Sequence, residues 1–225
     1  MYDWVTHMHT HLGGRCSHEC SYCYVQRGRA QLSEKYKGPI RLLEHEFQVN
    51  YGEGKTIFIE HMNDMFAPGV KDPWVAAILN HCFQYPKNKY VFQTKNAPRL
   101  KEFRFDVFPD CLVGTTIESN RDYSEISKAV RPYDRYQGMM SLGRVKKFVT
   151  IEPILDFDVE TMVEWLEDLK PEFVNIGADS KKSGLPEPSK EKIVRLVRAL
   201  QAAKIPIWKK INLERIVGDT FNASA

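Results

Sequence analysis

With 225 residues, 43% of them hydrophobic and 27% charged, the chain has the size and composition of one globular domain with a sizeable core. Its apolar runs are only a few residues long, which excludes a membrane-spanning helix, and Met1-Tyr2-Asp3-Trp4 lacks the basic and apolar regions of a secretory signal. A cytoplasmic setting is therefore expected, where thiols stay reduced. The formal net charge of +3 permits an anionic substrate without requiring one.

Taken in order, Trp4 to Leu12 alternates residue types with period two, as a short strand does. This places His7, His9 and His11 on one face, either as a zinc-binding triplet or, by preference, as the polar side of a strand lining a cavity. Gly13-Gly14 then makes a turn that lets the backbone approach a ligand. A cysteine loop follows, residues 16–23, and then a polar, turn-rich stretch from Gly28 to Pro39. Ile40 to Asn50 reads as a short amphipathic helix. From there strand-like and helix-like segments alternate. Thr56 to Glu60 is a strand, and Pro73 to Phe83 a helix with Asp72 as its cap and Pro73 at its first position. Tyr90 to Thr94 is a third strand, Pro98 to Phe103 a short helix, and Leu112 to Ile117 a fourth strand. A long polar stretch from Glu118 to Gln137 leads to a helical piece near Gly138 to Val145. Phe148 to Ile151 is a fifth strand, Asp158 to Leu169 a helix, and Phe173 to Ile176 a sixth strand. Ser189 caps a helix running to Ala203, and Ile205 to Trp208 is a seventh strand.

Alternation of this kind builds a parallel sheet from right-handed crossovers. Seven strands are too few for a closed eight-fold barrel. The expected fold is α/β, a partial (open) (β/α) TIM-like barrel forming a single domain over residues 1–225, with its site at the carboxyl ends of the strands. Polar residues gather just there: His9 and His11, then Glu60-His61-Met62-Asn63-Asp64, Thr94-Lys95-Asn96, Thr116 with Glu118-Ser119-Asn120, Glu152, Gly177-Ala178-Asp179-Ser180 and Lys209-Lys210.

Five cysteines is an odd number, and three of them fall within eight residues, which argues for metal binding over a disulfide framework. Cys16, Cys20 and Cys23 stand in a C-x3-C-x2-C pattern with Tyr22 directly before the third. Three thiolates on so short a loop can hold three corners of one compact centre, and sulfur ligands select iron–sulfur clusters or zinc. A 4Fe–4S cube held by three cysteines leaves one iron open to a small molecule. The competing readings are a structural Cys3His zinc module using His18, an electron-transfer protein, which would need a fourth nearby cysteine, and a nucleic-acid-binding protein whose cluster is only structural. Cys82 and Cys111 lie on apolar elements and are expected to be packing residues.

The cysteine spacing and Tyr22 resemble the signature of the radical S-adenosylmethionine (radical SAM) enzymes. Trp4, Met62-Asn63-Asp64-Met65-Phe66, Thr94-Lys95-Asn96-Ala97-Pro98-Arg99-Leu100, Ile151-Glu152-Pro153-Ile154-Leu155 and Ile207-Trp208-Lys209-Lys210 are similar to phrases of a phage- and prophage-associated branch of that superfamily. The resemblance implies a 4Fe–4S cluster on Cys16, Cys20 and Cys23, with S-adenosylmethionine on the open iron and Tyr22 near the adenine. It makes Asn63 or Asp64 a partner for the cofactor's amino group, although the usual Gly-Gly-Glu phrase is missing there. Thr116 and Glu118 would meet the ribose, Lys95 the cofactor's carboxylate, and Glu152 the ribose or the substrate. It further implies an external one-electron reductant, flavodoxin- or ferredoxin-like. Arg121, Lys128, Arg131 and Arg135, interleaved with Tyr123, Tyr133 and Tyr136, together with Lys146-Lys147, Lys181-Lys182 and Lys209-Lys210, admit a nucleotide or nucleic-acid substrate, with a solvated loop as the plainer reading. No second cysteine cluster is present, which argues against an auxiliary iron–sulfur centre.

Overall fold

The structure is a computed structural model describing residues 2–27, 34–181 and 183–218. Short β-branched and aromatic runs form its strands: β1 (His7–His9), β2 (Leu12–Gly13), β3 (Arg41–Leu42), β4 (Thr56–Ile59), β5 (Lys89–Thr94), β6 (Cys111–Thr116), β7 (Lys147–Ile151), β8 (Phe173–Ile176) and β9 (Ile207–Lys209). Seven of these make one sheet in the order β1-β4-β5-β6-β7-β8-β9, and every neighbouring pair in it is parallel. The order follows the chain without reversal, so the sheet curls as an open barrel. The helices α1 (Asp72–Phe83), α2 (Pro132–Met140), α3 (Val159–Leu169) and α4 (Lys190–Ala202) alternate with the later strands, and a one-turn helix α5 (Glu214–Val217) closes the described chain. Among the described residues no helix is long and apolar enough to cross a membrane.

The main core lies between the sheet and these helices, with Ile57, Ile59, Phe92, Val113, Val149 and Ile176 meeting Ile78, Met139, Met162, Leu166 and Leu196. Cys82 and Cys111 are buried in it. On the opposite, concave face a smaller cluster is built by the N-terminal segment, where Tyr2 and Val5 pack on Val91, Leu112 and Phe148. Tyr2 and Trp4 stack with ring centroids 5.1 Å apart, and the Tyr2 hydroxyl bonds Gln93 Oε1 (2.8 Å) and Thr150 Oγ1 (2.6 Å). The inside of the half-barrel is thus filled by the chain's own N-terminus at that level.

Several expected elements differ. The helix expected over Ile40 to Asn50 is instead β3 followed by a 3-10 helix, Glu44–Gln48, because Arg41–Leu42 pairs antiparallel with Leu12–Gly13 and its backbone bonds go to that ladder. The expected first strand is correspondingly split into β1 and β2. The piece from Pro98 to Phe103 is a 3-10 helix, Ala97–Glu102. Helix α2 begins at Pro132, not near Gly138, and ends at Met140; its buried face includes Arg135, whose charge makes the segment look solvent-facing. Lys71 caps α1, and the Asp72 carboxylate pairs with Arg99 instead. Residues 28–33 of the polar stretch and Lys182 lie outside the described residues.

Candidate functional site

At the carboxyl ends of the strands opens a cavity of about 600 Å³, inside the range of small-molecule and cofactor sites. Its wall includes Cys16, Cys20, Cys23, Tyr22, Asn63, Asp64, Lys95, Thr116 and Glu152, so nine of the expected site residues, drawn from five separate segments, share one space. Glu118 sits one layer back. Its carboxylate accepts from the Tyr22 hydroxyl and from Arg135 Nη1 (2.6 Å), with Lys95 Nζ at 3.6 Å. Burial alone would raise this carboxyl, but the charges of Arg135 and Lys95 outweigh it and hold it down at about 2. Lys95 lies 5.4 Å above the Tyr22 ring. Burial opposes its charge, yet the facing Cys20 and Glu118 raise its pKa. Glu118 therefore fixes the ring and the ammonium that border the cavity.

The cysteine loop is tied down from three sides. At its entry Gly14 has φ +84, and a Cβ there would lie 2.0 Å from the Pro39 carbonyl oxygen, so only glycine passes. In its middle His18 donates from Nε2 to Asp64 Oδ2 (2.7 Å). Asp64 also accepts from Thr94 Oγ1 (2.9 Å), Lys95 N (2.8 Å) and Phe66 N (2.9 Å), which leaves its carboxylate saturated by the protein. Burial pushes against ionisation of Asp64, but His18 and these donors lower its pKa. On the far side the segment after β6 clasps the loop, through Ser21 N to Ile126 O and Lys128 N to His18 O, both 2.8 Å. Asn63 donates to the Gly14 carbonyl (3.2 Å) and borders the cavity.

The three sulfurs line the same cavity, though among the described residues no three His, Cys, Asp or Glu side chains converge as ready ligands of a single ion. His18 Nδ1, inside the loop, is buried with no hydrogen-bond partner. An orphaned nitrogen beside three thiols fits a group that is held by sulfur and fills the space between them. Burial pushes the Cys16 thiol up to about 12, so ligation there would release a proton.

Across the cavity Glu152 pairs with Lys210 Nζ (2.5 Å) and accepts from Asn212 Nδ2 (3.2 Å). Thr116 Oγ1 accepts from Gln93 Nε2 (2.8 Å), which joins it to Tyr2.

The first-strand histidines do not line this cavity. Met8 and its β4 neighbour Phe58 face it, while His9, in register with Ile59, turns to the helix side. There His11 Nδ1 meets Glu60 Oε1 at 2.9 Å, His11 Nε2 meets His81 Nδ1 at 2.9 Å, and His81 Nε2 meets the Val49 carbonyl at 3.1 Å. A carbonyl only accepts, so neutral rings pass their protons one way along the chain and a single proton lies between His11 and Glu60. Burial lowers both His9 and His11 to about 4 and raises Glu60 to about 8, in agreement with that count. Of the three, only His11 belongs to this buried hydrogen-bond chain; His9 packs on it ring to ring at 4.5 Å between centroids, with Nε2 3.5 Å from Glu46 Oε2, and His7 stays outside, exposed on Thr6.

The basic loop follows the plainer, solvated reading, with Lys128, Arg131 and Lys146 more than half exposed, except that Arg135 is buried. Arg121 pairs with Asp156 and Asp158, Lys128 with Glu19, Arg131 with Asp134, Arg135 with Glu118 and Lys146 with Asp110. Tyr136 stacks on Trp165 with centroids 5.0 Å apart. Of these contacts the Arg135–Glu118 pair and the Tyr136 stack are the buried ones that brace the fold. The sequence alone missed Ser127 and Asn212 as parts of the site and offered Arg135 only as a substrate contact of the basic loop; Lys210 was expected at the strand ends, where it stands.

Comparison with known proteins places the chain by family and by fold. A family model described as "Protein of unknown function (DUF5131)" matches residues 3–184. The chain belongs to the DUF5131 family. Among curated proteins none matches it. Among solved structures it is similar to a spore photoproduct lyase variant with bound AdoMet and dinucleoside spore photoproduct, at TM-score 0.60 and 13% identity over 89% of this chain and 74% of that one. It is also similar to Streptococcus suis SuiB bound to S-adenosylmethionine, at TM-score 0.63 and 10% identity over 92% of this chain and 51% of that one, and to SuiB bound to precursor peptide SuiA, at the same TM-score and identity over 93% and 50%. At such identities the shared property is the open parallel barrel.

Proposed function

We propose that this DUF5131 protein is a radical SAM enzyme. The observation that carries the reading is the convergence of a C-x3-C-x2-C loop with Tyr22, Asn63, Lys95, Thr116 and Glu152 on one cavity at the strand ends. Two folds of the same shape hold S-adenosylmethionine in their solved structures, which supports the reading. The phrases after the second, third and fifth sheet strands and at the seventh support a place in the phage-associated branch. A reducing cytoplasm suits three free thiols.

A 4Fe–4S cluster held on the three cysteines, with S-adenosylmethionine beside it, would supply one-electron reductive cleavage of the cofactor's S–C5′ bond and hydrogen-atom abstraction from substrate. Cys16, Cys20 and Cys23 would hold the cluster as thiolates. Lys95, kept charged by Glu118, offers its ammonium to the cofactor's carboxylate, and Asn63 its amide oxygen to the amino group. Asp64, already saturated, holds His18 and with it the loop. Tyr22, pinned by Glu118, provides the wall for the adenine, and Thr116 a hydroxyl for the ribose. Glu152 and Lys210 face the remaining space, where the substrate would lie. Tyr2 and Trp4 close the bottom of the barrel and keep water from the reacting carbon.

The proposed substrate is a nucleotide or nucleic-acid component, supported by the dinucleoside photoproduct bound to the lyase. The precursor peptide bound to SuiB makes a peptide the competing outcome of a substrate screen. The proposed electron donor is an external flavodoxin- or ferredoxin-like protein.

One observation favours a second reading. A buried imidazole with one nitrogen on a carboxylate and the other unpartnered, as in His18 on Asp64, is the arrangement of a metal-bound histidine, and with three cysteines it would suit a Cys3His zinc module. Metal analysis of anaerobically purified protein separates the two. The enzyme reading expects about four irons and four sulfides per chain after reconstitution. A single zinc, unexchanged by iron and sulfide, would favour the module.

A further inference from the structure

Ser127 belongs to no motif, yet it lies against the cysteine loop from the other side of the barrel mouth. Its Oγ is 3.1 Å from Cys20 Sγ. The same oxygen accepts from Ala129 N at 3.2 Å, so its proton is left to be donated outward, and Cys20 Sγ is nearer than the other acceptor it faces among the described residues, the His18 carbonyl at 3.4 Å. The position is fixed by backbone bonds on both flanks: Ser127 N to Tyr123 O (3.2 Å), Ser21 N to Ile126 O and Lys128 N to His18 O. Lys128 Nζ and Glu19 Oε2, 2.5 Å apart, add an ion pair across the same seam. The segment after β6 holds one hydroxyl against one of the three thiols.

We infer that Ser127 is a positioning residue that donates a hydrogen bond to the Cys20 sulfur and thereby raises the reduction potential of the cluster; this rests on the radical SAM reading. The reduced cluster carries one more negative charge than the oxidised one. A donor on a ligating sulfur stabilises that charge and eases entry of the electron. Among the described residues neither Cys16 nor Cys23 has a side-chain hydroxyl hydrogen-bonded to its sulfur, so the effect is directed at one corner.

The test is a redox titration, followed by electron paramagnetic resonance, of the reconstituted native protein, Ser127→Ala and Ser127→Thr. Ser127→Ala should keep its iron and sulfide content and its circular dichroism but show a more negative midpoint potential, and Ser127→Thr, which restores the hydroxyl, should return toward the native value. An unchanged midpoint in cluster-loaded Ser127→Ala overturns the inference and leaves the radical SAM reading standing. Ser127→Gly serves as a second hydroxyl-free variant. If both hydroxyl-free variants fold but lose the cluster, Ser127 is a structural post of the loop and the inference also falls. A native protein that takes up no iron and sulfide overturns both together.

Discussion

The Glu118 carboxylate is enclosed by Tyr22, Arg135 and Lys95, and its low pKa depends on those charges surviving burial. Removing one partner of a buried pair leaves the other uncompensated. Arg135→Met should therefore cost about 3–5 kcal/mol, read as a lower urea midpoint; a loss under 1 kcal/mol would mean that water reaches Glu118. Lys95→Met should leave the cysteine loop able to bind iron while weakening S-adenosylmethionine binding by about tenfold, some 1.4 kcal/mol, by isothermal titration. Equal affinities in the two proteins would remove Lys95 from the cofactor site. At this scale the sequence was uneven. Lys95 and Glu118 could be found because each follows a recognisable strand, and polar groups just past parallel strands converge. Arg135 could not, since an arginine in a tyrosine-rich polar stretch looks like surface until its buried partner is seen. Ser127 carried no signal at all.

Between residues and whole fold lies the chain from Glu60 at the end of β4, through His11, to His81 on α1. Its protons have a pH signature. His9, His11 and His61 are lowered by burial to about 4 from 6.5, so over that window the unfolded chain binds protons the folded one refuses, and stability rises with pH. Glu60 is raised to about 8 from 4.5, so the folded chain keeps a proton the unfolded one has lost, and this group alone makes stability fall with pH over its window. Three histidines outweigh one carboxyl up to 6.5; beyond that only Glu60 still acts. Stability from this cluster should peak near pH 6.5 and decline toward about 8. Glu60→Gln, whose amide nitrogen at the Oε1 position can donate to His11 Nδ1 while its oxygen accepts from Leu12 N, gives up the bond from His11 N, so it should be about 1 kcal/mol less stable than the parent at pH 7 and lose the alkaline decline, as measured by denaturation across pH. A decline that persists in Glu60→Gln would assign it elsewhere. Period-two spacing showed that His9 and His11 share a face, but not which face, because alternation alone does not say which side of a strand meets the helices. The same limit applies to the segment over Ile40 to Asn50: its pairing with Leu12–Gly13 is a long-range contact that a local pattern does not encode.

At the scale of the molecule, seven short apolar runs separated by helical patterns were enough to read an open parallel barrel, since crossover handedness and strand count leave few alternatives. What the pattern could not give was how the concave side is filled. Tyr2 and Trp4 stack at the very start of the chain and pack under the cavity, where a polar N-terminus would have been the default expectation. With the bottom closed by the protein and the top bordered by three thiols, the space left between them is what a cluster and a nucleoside cofactor would occupy. The most direct test of that account is anaerobic reconstitution with iron and sulfide, reduction with dithionite in the presence of S-adenosylmethionine, and detection of 5′-deoxyadenosine by mass spectrometry, with Cys20→Ala as control. The native protein should yield 5′-deoxyadenosine, and Cys20→Ala none above background. A colourless protein that binds one zinc and leaves S-adenosylmethionine intact would contradict it.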